Sequence, residues 1–245
     1  MEHEKKVILL AGPTASGKSL LAIKLAHHFN SEIINADSMQ IYKEISILTS
    51  KPNLQDTKII KHHLYGFNSV KQKFSTGHWL RIAVKKIEEL WKKRQTPIVV
   101  GGTGLYFKAL TDGLVKIPDI PNNLRTIIRR QHKKVGQKVF FKSLINLDPL
   151  AKSFILPSDS QRSMRAYEVK KFTNKSFFEF IKIKNPKFKK NTVIKLFINF
   201  PRYLLNKRIE RKVEKMFHQG AVEEVKKLEK MKVKKELPAS KIIEI

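Results

Sequence analysis

"VILLAGPTASGKS", Val7 to Ser19, is the stretch on which the fold turns. Val7-Ile8-Leu9-Leu10 is an unbroken apolar run, too apolar for a half-exposed strand. It reads as a strand buried on both faces, over Lys6–Ala11, of the kind found in parallel sheets. The segment that follows, Gly12-Pro13-Thr14-Ala15-Ser16-Gly17-Lys18-Ser19, has the spacing G-x-x-x-x-G-K-S. That spacing builds a phosphate cradle: a tight turn of backbone N–H groups, a helix N-terminus behind them, and one lysine. Gly12 and Gly17 are expected at φ and ψ values closed to other residues. Lys18 sets a point charge on phosphate oxygens, and the Ser19 hydroxyl is placed to hold a phosphate-bridging Mg2+. The cradle alone does not say whether it holds ATP, GTP or another pyrophosphate.

Working outward, a helix follows from Gly17 to about Phe29. "SEIINADS" (Ser31–Ser38) gives a second short strand ending at Asp37. Between Gly77 and Lys93, Trp79, Ile82, Ala83, Ile87, Leu90 and Trp91 share one helical face. Gln95-Thr96-Pro97 stops that helix, and "PIVVGG" (Pro97–Gly102) is a third buried strand. "TGLYFKALTDGL" (Thr103–Leu114) is a short helix with Gly113 near its C-terminus. This alternation predicts a three-layer α/β sheet. The pattern changes near "VKIPDIPNNL" (Val115–Leu124): from Asn122 to about Phe180 the periodicity is helical, with no strand. "NTVIKLFINF" (Asn191–Phe200) returns to strand character. One long helix is expected from Arg202 to Lys232, with Leu205, Ile209, Val213, Met216 and Phe217 on one face. The expected plan is an α/β core, residues 1–120 with 190–245, interrupted by an all-helical insertion at 121–189. "IKIKNPKFKKN" (Ile181–Asn191) is the basic connector, and no repeat is visible.

Across 245 residues, 50 Lys+Arg stand against 21 Asp+Glu, a net charge of +29. Such an excess fits a polyanionic partner, nucleic acid or a membrane surface, or else a surface simply rich in lysine. With no cysteine, disulfides, thiolate catalysis and Cys-ligated metal are excluded. No apolar stretch approaches ~18 residues, so no membrane span is expected. The first residues run straight into a strand without a leader, and a cytoplasmic location is expected.

An ATPase needs a second apolar strand ending in a Mg2+-holding Asp. "PIVV" ends instead in Gly101-Gly102-Thr103, and "EIINAD" ends in Asp37. Asp37 can bind Mg2+ through water, or sit over the reacting group as a general base. Gly101 and Gly102 permit close approach of a ligand beside the Thr103 hydroxyl, or mark a strand–helix turn with a threonine cap. In "DSQRSMRAYEV" (Asp159–Val169), Asp159 or Ser160 caps a helix. There Arg162 and Arg165 share a face that either grips phosphates or is solvated. The pair His62-His63 lacks a further ligand at metal spacing and reads as packing or hydrogen bonding.

The ordered set "GPTASGKS", "NADSMQIYK", "TSKP", "HHLYGF", "GGTGLYFKAL", "DSQRSMRAYEV" and "MFHQGAVEEV" closely resembles the tRNA dimethylallyltransferases, from about Val7 to the last residue. The resemblance implies a P-loop NTPase-like core whose cradle holds dimethylallyl diphosphate rather than a nucleotide. A dimethylallyl group would pass to N6 of the adenosine 3′-adjacent to a tRNA anticodon, with Mg2+ as cofactor. By the same resemblance Asp37 is the general base, Lys18 stabilises the leaving diphosphate, and Thr103 orients the diphosphate or the adenosine. Arg125, at the start of the inserted helices, contacts substrate. Asp37, Ser38, Met39, Gln40, Thr103, Arg125, Gln161, Arg162, Ser163, Met164 and Arg165 line the tRNA site, and the insertion clasps the anticodon stem-loop. Family members continue for several tens of residues past the point where "LPASKIIEI" ends. The expectation is a C-terminally short chain that keeps donor binding and weakens tRNA binding or folding. No protein partner is evident and a monomer is expected. Two other readings fit the cradle: an enzyme prenylating free adenine nucleotides, and a P-loop nucleotide kinase or ATPase.

Overall fold

The structure, a computed structural model, describes residues 4–181, 186–234 and 237–242. The chain divides into two compact units, 1–112 with 186–245, and 113–185. The first division therefore falls at Gly113 (φ 82°), a left-handed position just past a helix end. In chain order the first unit begins with β1 (Val7–Ala11), α1 (Lys18–His28), β2 (Ile33–Asn35), α2 (Leu54–Ile59), β3 (His62–His63), α3 (Thr76–Lys92), β4 (Ile98–Gly101) and α4 (Gly104–Asp112). The second unit holds α5 (Asn122–Leu147), α6 (Ser160–Thr173) and α7 (Phe177–Ile181). The chain then returns to the first with β5 (Val193–Phe197), α8 (Arg202–His218) and α9 (Ala221–Lys230).

The five strands form one parallel sheet, ordered β3-β2-β4-β1-β5. β1 sits between β4 and β5, with Leu9 opposite both Val99 and Lys195. Val7 to Leu10 are buried, as an interior parallel strand requires. The small residues Ala22 and Ala26 bring α1 close onto Ile8, Leu10, Ile33 and Ile98. Against the sheet, α3 buries Trp79, Leu80, Ala83, Ile87 and Leu90, and the Ser75 hydroxyl accepts from the His78 N–H to cap it. Trp79 stacks on Tyr106 with ring centroids 4.1 Å apart, and its Nε1–H donates to the Asn35 carbonyl at 2.8 Å. That pair ties α3 and α4 to the end of β2.

Several elements differ from the sequence expectation. β2 stops at Asn35 rather than Asp37. The Asn35 side chain accepts the Asp37 N–H (2.8 Å) and donates to the Asp37 carbonyl (2.9 Å), so the backbone turns away from the sheet. β5 covers only Val193–Phe197, an edge strand with Ile194 to Phe197 exposed. The long helix is two helices, broken at Gly220, whose φ of 95° no other residue adopts as cheaply. No residue of α8 is buried, so its apolar positions are not a core stripe. α2 and β3 were not anticipated; α2 starts at a capping box between Asn53 and Asp56.

The helical unit contains no strand among its described residues. α5 bends at Gly136 (φ 75°, ψ 164°), which leaves helical geometry there. Leu144, Ala151, Ile155, Ala166 and Phe178 form its core, and the buried Asp148 carboxylate accepts the Ser176 hydroxyl at 2.7 Å. Within the basic connector, residues 182–185 lie outside the described residues. Among the described residues no helix is long and apolar enough to cross a membrane.

Candidate functional site

The loop from Gly12 to Ser19 joins the end of β1 to α1. Its backbone is closed by Ser16 N–H to Pro13 O (3.3 Å), with Ala15 at φ 61° and Gly17 at φ 89°. Two left-handed residues flanking Ser16 are the kind of alternation from which an anion nest of backbone N–H groups is built. Gly17 thus has the conformation expected of it, but Gly12 does not have a positive φ. Gly12 is required instead by crowding: a Cβ there would stand 3.0 Å from Ser16 Oγ and 3.2 Å from Ile198 Cβ. Ser16 Oγ itself is buried without a hydrogen-bond partner among the described residues. The Lys18 ammonium folds back to donate to the Pro13 carbonyl at 3.0 Å. A phosphate oxygen is a stronger partner for that ammonium than the carbonyl is.

A cavity of about 500 Å3 opens beside the loop. Thr14, Ala15, Gly17, Lys18 and Ser19 form one part of its lining. Asp37, Met39 and Gln40, just past β2, form another. Asp37 Oδ1 accepts the Met39 N–H at 2.9 Å, and among the described residues Oδ2 has no hydrogen-bond partner. The Thr103 hydroxyl accepts the Ser38 N–H at 2.9 Å and donates to Ser38 Oγ at 3.2 Å. Thr103 therefore braces the segment that carries Asp37. The adjacent glycines have different roles. At Gly101, which lines the cavity, a Cβ would lie 2.2 Å from the Ala36 carbonyl carbon, so backbone meets backbone there. At Gly102 a Cβ would meet Asp37 Oδ2 at 3.7 Å, an ordinary contact beside the cavity. Gln40 donates both its bonds inside the chain, to the carbonyls of Thr49 (2.8 Å) and Ser50 (3.0 Å).

The wall supplied by α8 was not recognised as part of the site. Ile209, Val213 and Met216 line the cavity, and with them Lys212. Partial burial lowers the pKa of Lys18 and of Lys212; the Asp37 carboxylate opposes this at both, and Lys212 pushes Lys18 further down. Lys18, Lys212 and Asp37 line the same cavity, and the carboxylate favours the charged form of both lysines. Tyr65 also lines the cavity, its hydroxyl pKa raised by burial and by Asp37. The signal for Lys212 was a charged residue on the stripe Ile209–Val213–Met216, where a core helix would carry an apolar one.

The remaining sequence candidates lie in the helical unit. Arg125 and Arg165 converge on the buried Glu168, at 4.0 and 3.5 Å from its Oε2. Arg162 is exposed and pairs with Asp159, whose side chain caps α6 by accepting the Arg162 N–H at 2.9 Å. Gln161 is exposed and Met164 half-buried. Ser163 contradicts the expectation of a tRNA contact. It is fully buried, donates to the Asp159 carbonyl at 2.6 Å and accepts from Gln137 Nε2 at 3.2 Å. His63 pairs with Glu32 and His62 Nδ1–H donates to the Ile60 carbonyl at 2.7 Å, so both histidines are structural. Among the described residues no cluster of three or more His, Cys, Asp or Glu could hold a metal ion.

The family model described as IPP transferase matches residues 40–245. A tRNA dimethylallyltransferase of Pelagibacter ubique (strain HTCC1062) is 49% identical over 245 residues, covering 100% of this chain and 78% of that protein. One from Rickettsia massiliae (strain Mtu5) is 42% identical over 228 residues, covering 93% of this chain and 63% of that protein. A solved structure of a eukaryotic dimethylallyltransferase acting on tRNA superposes with a TM-score of 0.81 at 28% identity, over 98% of this chain and 61% of that one. The full-length tRNA isopentenylpyrophosphate transferase from Bacillus halodurans gives 0.63 at 28% identity, over 97% and 74%. The chain, with its parallel P-loop core and inserted helices, belongs to the IPP transferase family.

Proposed function

We propose that the chain transfers the dimethylallyl group of dimethylallyl diphosphate to N6 of the adenosine 3′-adjacent to a tRNA anticodon, releasing diphosphate. The observation that carries this reading is the convergence of Lys18, Lys212 and Asp37 on one cavity. When the C–O bond breaks, its electron pair passes to a diphosphate oxygen. The Lys18 and Lys212 ammoniums and the loop N–H groups stabilise that charge more in the transition state than before it. The adenine amine contributes its lone pair to the new C–N bond and loses a proton, which Asp37 Oδ2 accepts. Thr103 holds the Asp37 segment in place through Ser38. Of the helical unit's arginines, Arg125 and Arg165 contact tRNA; each is more than a third exposed beside the shared Glu168.

Ser19 lines the cavity, and its hydroxyl is a hard-oxygen donor that would hold a Mg2+ whose other ligands came from phosphate and water. Bound there, Mg2+ supplies further charge neutralisation of the diphosphate.

The deciding test is Asp37→Asn with labelled dimethylallyl diphosphate and an anticodon stem-loop. Transfer should fall by about 10²–10⁴-fold, while donor binding, read by calorimetry, persists. Undiminished transfer in that variant, or thermal protection by ATP and none by dimethylallyl diphosphate, overturns the proposal.

A further inference from the structure

Glu224 lies on α9, one turn beyond the break at Gly220, and belongs to none of the groups invoked so far. Its carboxylate accepts three consecutive backbone N–H groups: Oε1 those of Ser46 (2.7 Å) and Ile47 (3.0 Å), Oε2 that of Leu48 (2.9 Å). The segment it grips is a single helical turn. Ser50 N–H donates to Ile47 O, Lys51 N–H to Ser46 O, and the Thr49 hydroxyl to Ile45 O. Glu224 satisfies the orphan N–H end of this turn, as an acidic cap does at any helix start, but from a residue far along the chain. The carbonyl end is held by Gln40, through Thr49 and Ser50. The turn so clamped presents Leu48, Thr49 and Ser50 to the cavity. α8, directly before the Gly220 break, presents Ile209, Val213 and Met216 to the same space.

We infer that Glu224 is a positioning residue that fixes the distance between the 46–50 turn and the α8 wall, and so sets how closely the cavity grips the alkyl part of a prenyl diphosphate. The inference rests on the proposed function, because it takes the cavity's apolar wall as the place of the alkyl chain and the Lys18–Lys212 side as the place of the diphosphate. A charged acceptor making three bonds at once is hard to replace: water can satisfy the three N–H groups but cannot hold the turn to the helix. With the clamp gone, the diphosphate keeps its lysines, whereas the alkyl chain loses close contact on one side. Longer chains then fit less badly.

The test compares wild type, Glu224→Ala, Glu224→Gln and Leu48→Ala by calorimetric binding of dimethylallyl diphosphate, geranyl diphosphate and inorganic diphosphate, with a thermal melt of each. Glu224→Ala should lose about tenfold in affinity for dimethylallyl diphosphate relative to inorganic diphosphate, which corresponds to loosened contact with roughly two carbons. It should also narrow the preference for the shorter donor over geranyl diphosphate. Glu224→Gln, which keeps one acceptor oxygen, should fall between. Leu48→Ala, which leaves the clamp intact and trims the wall, should show the same change in ratio even if Glu224→Ala melts too low to study. A general loss of stability would weaken all three ligands alike. An unchanged ratio in both Glu224→Ala and Leu48→Ala, or a uniform loss, overturns the inference. Wild type binding neither prenyl diphosphate would instead overturn the proposed function on which it rests.

Discussion

Gly101→Ala is the substitution whose consequence can be worked most directly from the structure. Gly101 ends β4, the strand between β1 and β2. A Cβ added there would stand 2.2 Å from both the carbonyl carbon and the oxygen of Ala36, and 2.8 Å from its Cα. Ordinary contact begins near 3.4 Å, so the two backbone segments must separate by about 1.2 Å. No flexible side chain can absorb this, because every obstructing atom is backbone. Ala36 is also hydrogen-bonded on both sides, its N–H to Val100 O at 2.7 Å and its carbonyl to the Thr103 N–H at 3.1 Å. The displacement therefore passes to the next residue, Asp37. Forcing a methyl into such a site costs about 1–3 kcal/mol. For a chain of this size that lowers the melting temperature by about 2–12 °C. A 1 Å misplacement of a reacting group costs about 10²-fold in rate.

The assay pairs a thermal melt with single-turnover transfer, and Gly102→Ala is the internal control. The Gly102 Cβ would meet Asp37 Oδ2 at 3.7 Å and Gly12 O at 4.0 Å, both comfortable. Gly102→Ala should therefore melt close to wild type and retain transfer within a few-fold, while Gly101→Ala loses both. If Gly101→Ala melts within a degree of wild type and transfers at its rate, the claim that Ala36 and Gly101 meet backbone to backbone is wrong.

Three further outcomes follow from the same geometry. Lys18 and Lys212 both have pKa values lowered by burial, so donor affinity should decline as pH rises through a range below that of an ordinary lysine. The sign is separable from unfolding, since a lysine depressed in the folded state adds stability as pH rises between its folded and unfolded values. Lys212→Met removes the like charge facing Lys18 and should shift that alkaline limb upward, with weaker binding overall; calorimetry across pH reads both. Asn35→Asp puts a carboxylate where a buried amide donates to the Asp37 and Leu64 carbonyls, and a denaturant titration should show a loss of about 3 kcal/mol or more. Ser163→Ala should cost about 1 kcal/mol in stability and leave stem-loop affinity unchanged, whereas Arg165→Ala should weaken that affinity; equal effects of both on binding would restore Ser163 to the RNA surface.

The parts of the site that sequence reasoning located are those whose geometry is local. Val7 to Ser19 specifies its strand, turn and helix start within a dozen residues, and Asp37 lies near enough to β2 for strand polarity to carry it to the same sheet edge. Misreadings arose where a side chain acts across the chain. "EIINAD" has unbroken strand character, yet Asn35 spends its amide on Asp37 and ends the strand early. Ser163 sits between two arginines in sequence, but a helix turns it about 100° from Arg162 and about 160° from Arg165, and that face meets Asp159 and Gln137.

α8 gives the sharpest case. Periodicity correctly grouped Ile209, Val213 and Met216, because a 3.6-residue repeat states which residues share a face. It does not state what the face meets, and here it meets a cavity with Lys212 alongside. A lysine within an apolar stripe costs stability if the stripe is core, since the ammonium must be desolvated. The same lysine is favourable if an anion is to lie there. Burial lowers the pKa of Lys212 and Asp37 opposes it, so an anionic ligand in the cavity would favour its charged form further.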